Sequence, residues 1–456
     1  MKAIGLLRYD VEDYLTPQSH EALGFIVDAM RHVGIEGSYG VVGKKALALA
    51  QAGHHLVLDA LRREPALGFH SWSHSEHPTI AEELQHLTYR AGIKAFVERE
   101  QVGVGMVADA IRPPIYFTQP GANWVPAAVE ALPQLGIDIF FSDAWNSYVV
   151  PLDEPVWLGP VLHLSPPVLT PRPFLLKFPD NFQEATDVID KAVAQFSGGK
   201  MFMVMAHPTE LVSTKFWDAV NFAHGATVEV LRPAPVRNKK EQRHAQERFR
   251  DYLSALANHP GIEWLNVIQV RQRVRPLGAR RVPLQRWKEV LRNGLGPVRI
   301  DAVSLSAAQQ VYLLALAVDE ASADEMTIPS VLPPEDWEPS APTANQHNTA
   351  PARVVRQASH WLRHEIEKSG RLPRTVPGER DSWPIEVYAG YARALWEDPH
   401  ALAVTAWPLT LDFLGFIQEP DQLHWDWPIF PHAFRPLRLW QQARSIAWSL
   451  AWVEWQ

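Results

Sequence analysis

Residues 3–14 read AIGLLRYDVEDY, a short apolar run that passes through Arg8 into three carboxylates within four positions, Asp10, Glu12 and Asp13. Like charges this close repel one another and contribute nothing to folding, so the stretch implies a demand for negative charge. The apolar run predicts a buried strand over Ala3–Arg8, and runs of the same kind recur at Gly37–Val42, Ala66–Phe69, Ile137–Phe141, Met201–Ala206 and Trp264–Val267. Helical periodicity separates them, at Glu21–Val33, Lys44–Ala52, Val125–Leu135 and Phe182–Phe196. Strand and helix in alternation predict a parallel α/β domain over residues 1–285. In parallel α/β barrels the reactive groups sit where strands end, which is where the polar residues of this chain begin.

At 456 residues the chain exceeds one ordinary domain. Beyond Arg280 helical patterns dominate, which predicts a second, mainly helical domain over 286–456, with a Pro-rich linker near 328–352. A weak twofold repeat is legible there: a helix followed by Ile328-Pro329-Ser330-Val331 and Asp336-Trp337 recurs as a helix followed by Leu372-Pro373-Arg374-Thr375-Val376 and Asp381-Ser382-Trp383. Twelve of the 18 tryptophans lie after residue 285. Near-helical spacings such as Trp448, Trp452 and Trp455 predict buried stripes more than glycan-stacking faces. The net charge of −8 comes without basic runs, which argues against nucleic acid as a partner. No apolar stretch matches a signal peptide or a membrane span, so a cytoplasmic protein without membrane partners is expected, and a homo-oligomer is compatible with the sequence. With no cysteine, any metal must be held by His and carboxylate.

The sharpest chemical motif is GFHSWSHSEHP, which places His70, His74 and His77 within eight residues after a strand. Imidazoles four apart can converge on one cation, on a helical turn or a tight loop. On an extended backbone Asp10 and Glu12 share a face, so one could ligate the cation while the other accepts a proton from water. Asp13 is a rival ligand, although a turn with a helix N-cap at Asp13 or Thr16 accounts for the same residues. MFMVMAHPTEL delivers His207 at the end of another buried strand, where a general acid would sit. In AIRPPIYFTQPGANW, Arg112 could orient Asp10 through a forked ion pair.

In this order the pieces resemble the polysaccharide deacetylase family, the NodB-homology carbohydrate esterases, and within it the cytoplasmic peptidoglycan-deacetylase-like and allantoinase-like branch. The carboxylate motif looks like Asp10 with Glu12 or Asp13, the His-Ser/Thr-x-x-His motif like His70 to His74, the arginine-proline motif like Arg112-Pro113-Pro114, and the late histidine motif like His207-Pro208. The resemblance covers roughly residues 1–275 and implies a distorted (β/α)7 barrel. It departs from the family at Asp10-Val11-Glu12-Asp13, after Arg112, and at the additional His77.

The expected activity is metal-dependent hydrolysis of an amide C–N bond, most simply deacetylation of an N-acetylated sugar or glycan precursor. The alternatives are a cyclic-amide hydrolase of allantoinase type and a non-catalytic glycan-binding relative. In this reading His70, His74 and a carboxylate, Glu12 ahead of Asp13, hold the cation; Asp10 is the base, His207 the acid, and Arg112 the residue that orients Asp10. Zinc is the expected cation, with cobalt, nickel or iron admitted by an N/O ligand set. Candidate substrate contacts are Trp72, His77, Trp124, Glu210, Trp217 and Asn221.

Overall fold

The computed structural model describes residues 1–143, 147–169, 182–291, 294–319, 324–339 and 349–456. Residues 340–348 of the expected linker lie outside them.

The first strand, β1 (Ala3–Val11), pairs in parallel with β2 (Ser38–Val41) on one side, and β2 leads on through β3 (Ala66–Phe69), β4 (Tyr116–Thr118) and β5 (Ile139–Phe141). After β6 (Val156–Leu158), β7 (Val161–Leu164) continues the parallel series beside β5. On the other side of β1 lies β8 (Met201–Ala206), again parallel. Past β7 the backbone forms a parallel bridge from Val168 to Met203 of β8, with Leu169 N–H donating to the Met203 carbonyl at 2.9 Å. That bridge joins the two ends of the series, so seven parallel strands run round a distorted (β/α)7 barrel. Strand β9 (Ile262–Leu265) pairs with the first half of β1 only, and β6 is antiparallel to β7.

Alternation along β1 sorts its residues. Ile4 and Leu6 belong to the barrel interior with Met201, Met203, Met205, Phe141 and Leu164, while Ala3, Leu7, Tyr9 and Val11 pack outward with Leu23 and Ile26 of the helix Pro17–Val33. Both faces are buried, which is why the strand reads as an almost unbroken apolar run. It extends to Val11 rather than ending at Arg8, because Arg8 and Asp10 neutralise each other inside the barrel. Gly68 of β3 lies against the Tyr116 ring: a Cβ there would approach Tyr116 to 2.3 Å. Gly68→Ala is therefore expected to lower stability by about 1–3 kcal/mol through overpacking. A urea midpoint equal to wild type would show that Tyr116 has room to move.

Three short strands, β4, β6 and β7, are not among those expected from the sequence. The 22-residue helix Tyr89–Ala110 is likewise not among the expected helices. Its small apolar moment comes from glycines and alanines that allow close approach, as where Gly43 would place a Cβ 2.7 Å from the Gly103 Cα.

The C-terminal region is mainly helical. The helix Ala307–Asp319 is buried along nearly its whole length and packs against the helices Ala352–Ser369 and Ile385–Glu397, with two-stranded ribbons at their ends. The two repeat-like segments meet: Leu332 N–H donates to the Gly370 carbonyl and Leu372 N–H to the Leu332 carbonyl, at 2.8 and 3.0 Å. Trp287, Trp337 and Trp448 are core residues, Trp448 set edge-on against Trp337. The last strand, Leu450–Trp452, returns to pair antiparallel with β6, so the barrel sheet is finished by the end of the chain. No helix among the described residues is long and apolar enough to cross a membrane.

Candidate metal centre

The inward-facing positions of each strand turn from apolar to polar at the carboxyl end of the barrel. On β1 the series Ile4, Leu6 continues as Arg8, Asp10 and Glu12; on β8 Met201, Met203, Met205 continues as His207; β3 ends at Phe69 and hands on His70. His70 is held by its amide, which donates to the Val41 carbonyl at 3.0 Å. His74 follows on a tight turn in which both Ser71 (φ 64°) and His74 (φ 59°) are left-handed. The turn is kept by the His74 amide on Ser71 Oγ at 3.0 Å, by Gly43 N–H on the Ser71 carbonyl at 2.9 Å and by Trp72 N–H on Glu100 Oε2 at 2.7 Å.

One ligand atom from each of Glu12, His70 and His74 lies within 4.8 Å of the others, and all three residues are buried. His70 Nδ1 is 3.0 Å from the Thr118 carbonyl, which can only accept, so Nδ1 carries the proton and Nε2 presents its lone pair to the centre. His74 Nδ1 lies 2.5 Å from Ser75 Oγ, whose hydroxyl in turn donates to Asp218 Oδ2 at 3.3 Å, while Nε2 stands 2.5 Å from Glu12 Oε2. His70 Nε2 and both Glu12 oxygens are buried without a hydrogen-bond partner. Orphaned buried polar atoms that face one point are costly unless something joins them there. Two imidazoles oriented from behind and one carboxylate are a donor set that fits a divalent cation. Burial also lowers the pKa of both histidines to about 4, which keeps them in the neutral, ligating form, and raises Glu12 to about 7.

Asp13 lies outside this group. Its Oδ1 accepts from the amides of Leu15 and Thr16, at 3.0 and 2.9 Å, and its Oδ2 from Thr209 Oγ1 at 2.7 Å. The buried Lys45 ammonium donates to the Asp13 carbonyl and Ser19 Oγ, at 2.6 and 2.7 Å, so Asp13 builds the turn that follows β1.

Arg112 does not reach Asp10. It donates to the carbonyls of Glu64 and Pro65, at 2.6 and 3.0 Å, where it ties down the loop ahead of β3. The forked pair on Asp10 comes instead from Arg8, two residues back on the same strand: Nε to Oδ1 at 2.7 Å and Nη2 to Oδ2 at 2.6 Å. Burial alone would push the Asp10 carboxyl up, but Arg8, with His70 and His207 behind it, holds it at about 2 and ionised. Removing one member of a buried pair leaves the other charge uncompensated. Arg8→Met is therefore expected to cost about 3–5 kcal/mol in denaturant unfolding. A loss below about 1 kcal/mol would show that the pair does not hold the strand end.

His207 faces the group from β8, with Nε2 3.5 Å from Glu12 Oε1 and 3.8 Å from Asp10 Oδ2, and Nδ1 3.5 Å from Glu210 Oε1. Burial would lower its pKa, but the carboxylates of Glu12, Glu210 and Asp10 outweigh it and raise the imidazole to about 9. All of these groups open onto one cavity of about 490 Å³. Of the expected substrate contacts only Glu210 lines it. Trp124 is a core residue stacked on Phe140, Trp217 is fully buried behind His74, and Trp72 lies between Lys44 and Arg99. His77 is occupied at both nitrogens, by Glu82 and the Phe222 carbonyl, and Asn221 ties Trp217 to Arg232 through backbone groups. These five are apolar fillers or loop ties, so side-chain type alone misassigns them. The sequence reading passes over Arg8 and Asp143, both legible in principle as inward positions one strand step from Asp10 and Phe141. It also passes over His424 and Asp426, which reach the cavity from the C-terminal region with Trp427, one of the tryptophans expected there as core more than as glycan-stacking faces.

Fold and site together define a (β/α)7 barrel whose strand ends hold a buried His/His/carboxylate set beside an ionised aspartate and a third histidine. No protein-family model matches the sequence, and no curated protein does. Solved structures similar to this chain include the 4-alpha-glucanotransferase from Thermococcus litoralis, 11% identical with a TM-score of 0.41, over 60% of this chain and 41% of that one. The chain thus spans less than half the length of that protein. A putative polysaccharide deacetylase from Mycobacterium smegmatis is 11% identical with a TM-score of 0.37, over 60% of this chain and 93% of that one. The Bc1960 peptidoglycan N-acetylglucosamine deacetylase is 12% identical with a TM-score of 0.31, over 58% and 86%. The barrel itself is read from this chain's own strand pairing.

Proposed function

We propose that the chain is a divalent-metal-dependent hydrolase of amide C–N bonds that removes the N-acetyl group from an N-acetylated sugar or glycan precursor. The observation that carries this reading is the convergence of buried Glu12, His70 and His74, with His70 Nε2 and the Glu12 oxygens lacking a hydrogen bond, beside ionised Asp10 and His207 on one cavity. Glu12, His70 and His74 would hold the cation, zinc by default, with cobalt, nickel or iron compatible with the same donors. A cation there supplies Lewis acidity, which acidifies water and stabilises an oxyanion.

The rest of the chemistry belongs to the chain's own side chains. Asp10 accepts a proton from the attacking water at Oδ2, and its forked pair with Arg8 fixes the direction in which that oxygen points. His207 donates from Nε2 to the nitrogen of the leaving amine as the C–N bond breaks, which leaves a carboxylate and an amine as products. Glu210 on the far side of the ring keeps His207 protonated for that step. Thr118 and Ser75 hold the two ligand imidazoles from behind.

The test is acetate release from N-acetylglucosamine oligomers by zinc-loaded protein, abolished by chelation and restored by added metal. Absence of acetate from every N-acetylated sugar, together with ring opening of cyclic ureides, would replace this reading by the cyclic-amide one. Metal-dependent turnover of neither substrate would leave the glycan-binding alternative.

A further inference from the structure

The mouth of the cavity is not made by the barrel alone. Trp427, from the C-terminal region far beyond β9, stands with its ring 5.9 Å from His74 and nearly perpendicular to it, and Asp426 and His424 also line the cavity. The ring is seated by an absence: Gly121 has φ +47°, and a Cβ there would lie 2.4 Å from the Trp427 indole. The segment is also anchored on its far side. His224 N–H donates to the Pro428 carbonyl at 2.8 Å and Gly225 N–H to the Ile429 carbonyl at 2.9 Å, and Ile429 is fully buried with Trp217, Phe222 and Ala234. Trp427 itself is only part-buried and lines the cavity.

The charge of the lining is as one-sided as its shape. Among the described residues six carboxylates face the cavity, those of Asp10, Glu12, Asp143, Glu210, Asp218 and Asp426, against one guanidinium, that of Arg8, which is engaged with Asp10. A dication and a protonated His207 would still leave this described lining net negative.

We infer that the C-terminal region completes the substrate site: Trp427 is the face on which a sugar ring packs, and the acid-rich wall around it restricts the site to neutral or amine-bearing glycans. The inference rests on the deacetylase reading for the identity of the ligand as a sugar. Apolar ring faces stack on an indole, and hydroxyls and ammonium groups are accommodated by carboxylates, whereas phosphate and uronate groups are repelled. The wall makes the helical region a determinant of specificity rather than an appendage, since it delivers a residue next to the candidate metal ligands.

The experiment is calorimetric titration of zinc-loaded protein with N,N′,N″-triacetylchitotriose and, separately, with uridine diphosphate N-acetylglucosamine, a dianionic sugar. Wild type is expected to bind the neutral sugar the more tightly. Trp427→Leu, which keeps apolar volume but loses the ring, should raise the Kd for triacetylchitotriose about three- to tenfold without changing zinc stoichiometry. Asp426→Lys, at an exposed position where folding is not at risk, should strengthen binding of the dianionic sugar severalfold. An unchanged Kd in Trp427→Leu with zinc in place, equal wild-type affinity for both sugars, or no effect of Asp426→Lys on the anionic one would each overturn the inference. Should Trp427→Leu fail to fold, the Asp426→Lys result and the wild-type preference decide. Trp427-dependent sugar binding without acetate release would sustain the inference while removing the deacetylase reading; acetate release from a small amide with no binding of either sugar would do the reverse.

Discussion

Exchanging His70 and His74 together for alanine is expected to leave the purified protein without a stoichiometric divalent cation and without hydrolytic turnover. Wild type should carry about one per chain, because three buried donors converge at one point and a protein ligand set of three is what catalytic zinc sites use. Even a change behind a ligand typically costs ~10–100-fold in affinity, and losing the ligands themselves costs far more. Elemental analysis after gel filtration is the measurement, and full occupancy in the double variant would remove the site. Two single substitutions sharpen it. Glu12→Ala should also lose the metal, whereas Asp13→Ala should keep it and lose stability instead, since the Asp13 carboxylate bonds only Leu15, Thr16 and Thr209. The opposite pattern would move the carboxylate ligand to Asp13.

Asp10→Asn should retain the cation and lower kcat by ~10²–10⁴-fold, the usual cost of removing a general base. The amide keeps the shape of the carboxylate but has one acceptor oxygen in place of two and cannot take up the proton. Its oxygen can still meet one of the two Arg8 N–H groups, so the variant should fold, less stably than wild type because the buried guanidinium is left charged and half-paired. Metal content, kcat and a thermal melt on one preparation separate these effects. A variant with its metal and near-wild-type kcat would exclude Asp10 as the base; loss of the metal would make Asp10 a ligand and send the search for the base to Glu12 or His207.

Much of this chain could be read without its structure, and the legible parts share a cause. The alternation of β1, the His70-x-x-x-His74 spacing and the His207 that ends MFMVMA are local: each needs only the geometry of a few consecutive residues, and each lies on a buried parallel strand or on the turn that follows one. The three carboxylates of the opening stretch divide on the same rule, Asp10 and Glu12 inward and Asp13 at the turn, although only the Thr209 and Lys45 contacts show what Asp13 is engaged in.

What the sequence could not decide was partnership across the fold. The sequence offers Arg112 as the partner of Asp10, and the place falls to Arg8 because β1 extends to Val11 and carries both side chains into the barrel, while Arg112 sits before β4 and finds two carbonyls. Trp72, Trp124 and Trp217 look like substrate walls from their place near the motifs, yet packing puts each behind or beside the cavity, and the indole that does reach it arrives from residue 427. Sequence by itself determined the period of the strands and which residue types stand at their ends. Only the closure of the barrel, and the return of the C-terminal segment onto Gly121 and Gly225, determined which of those residues meet, because contacts between distant segments depend on the packing of the whole core and leave no local periodicity to read.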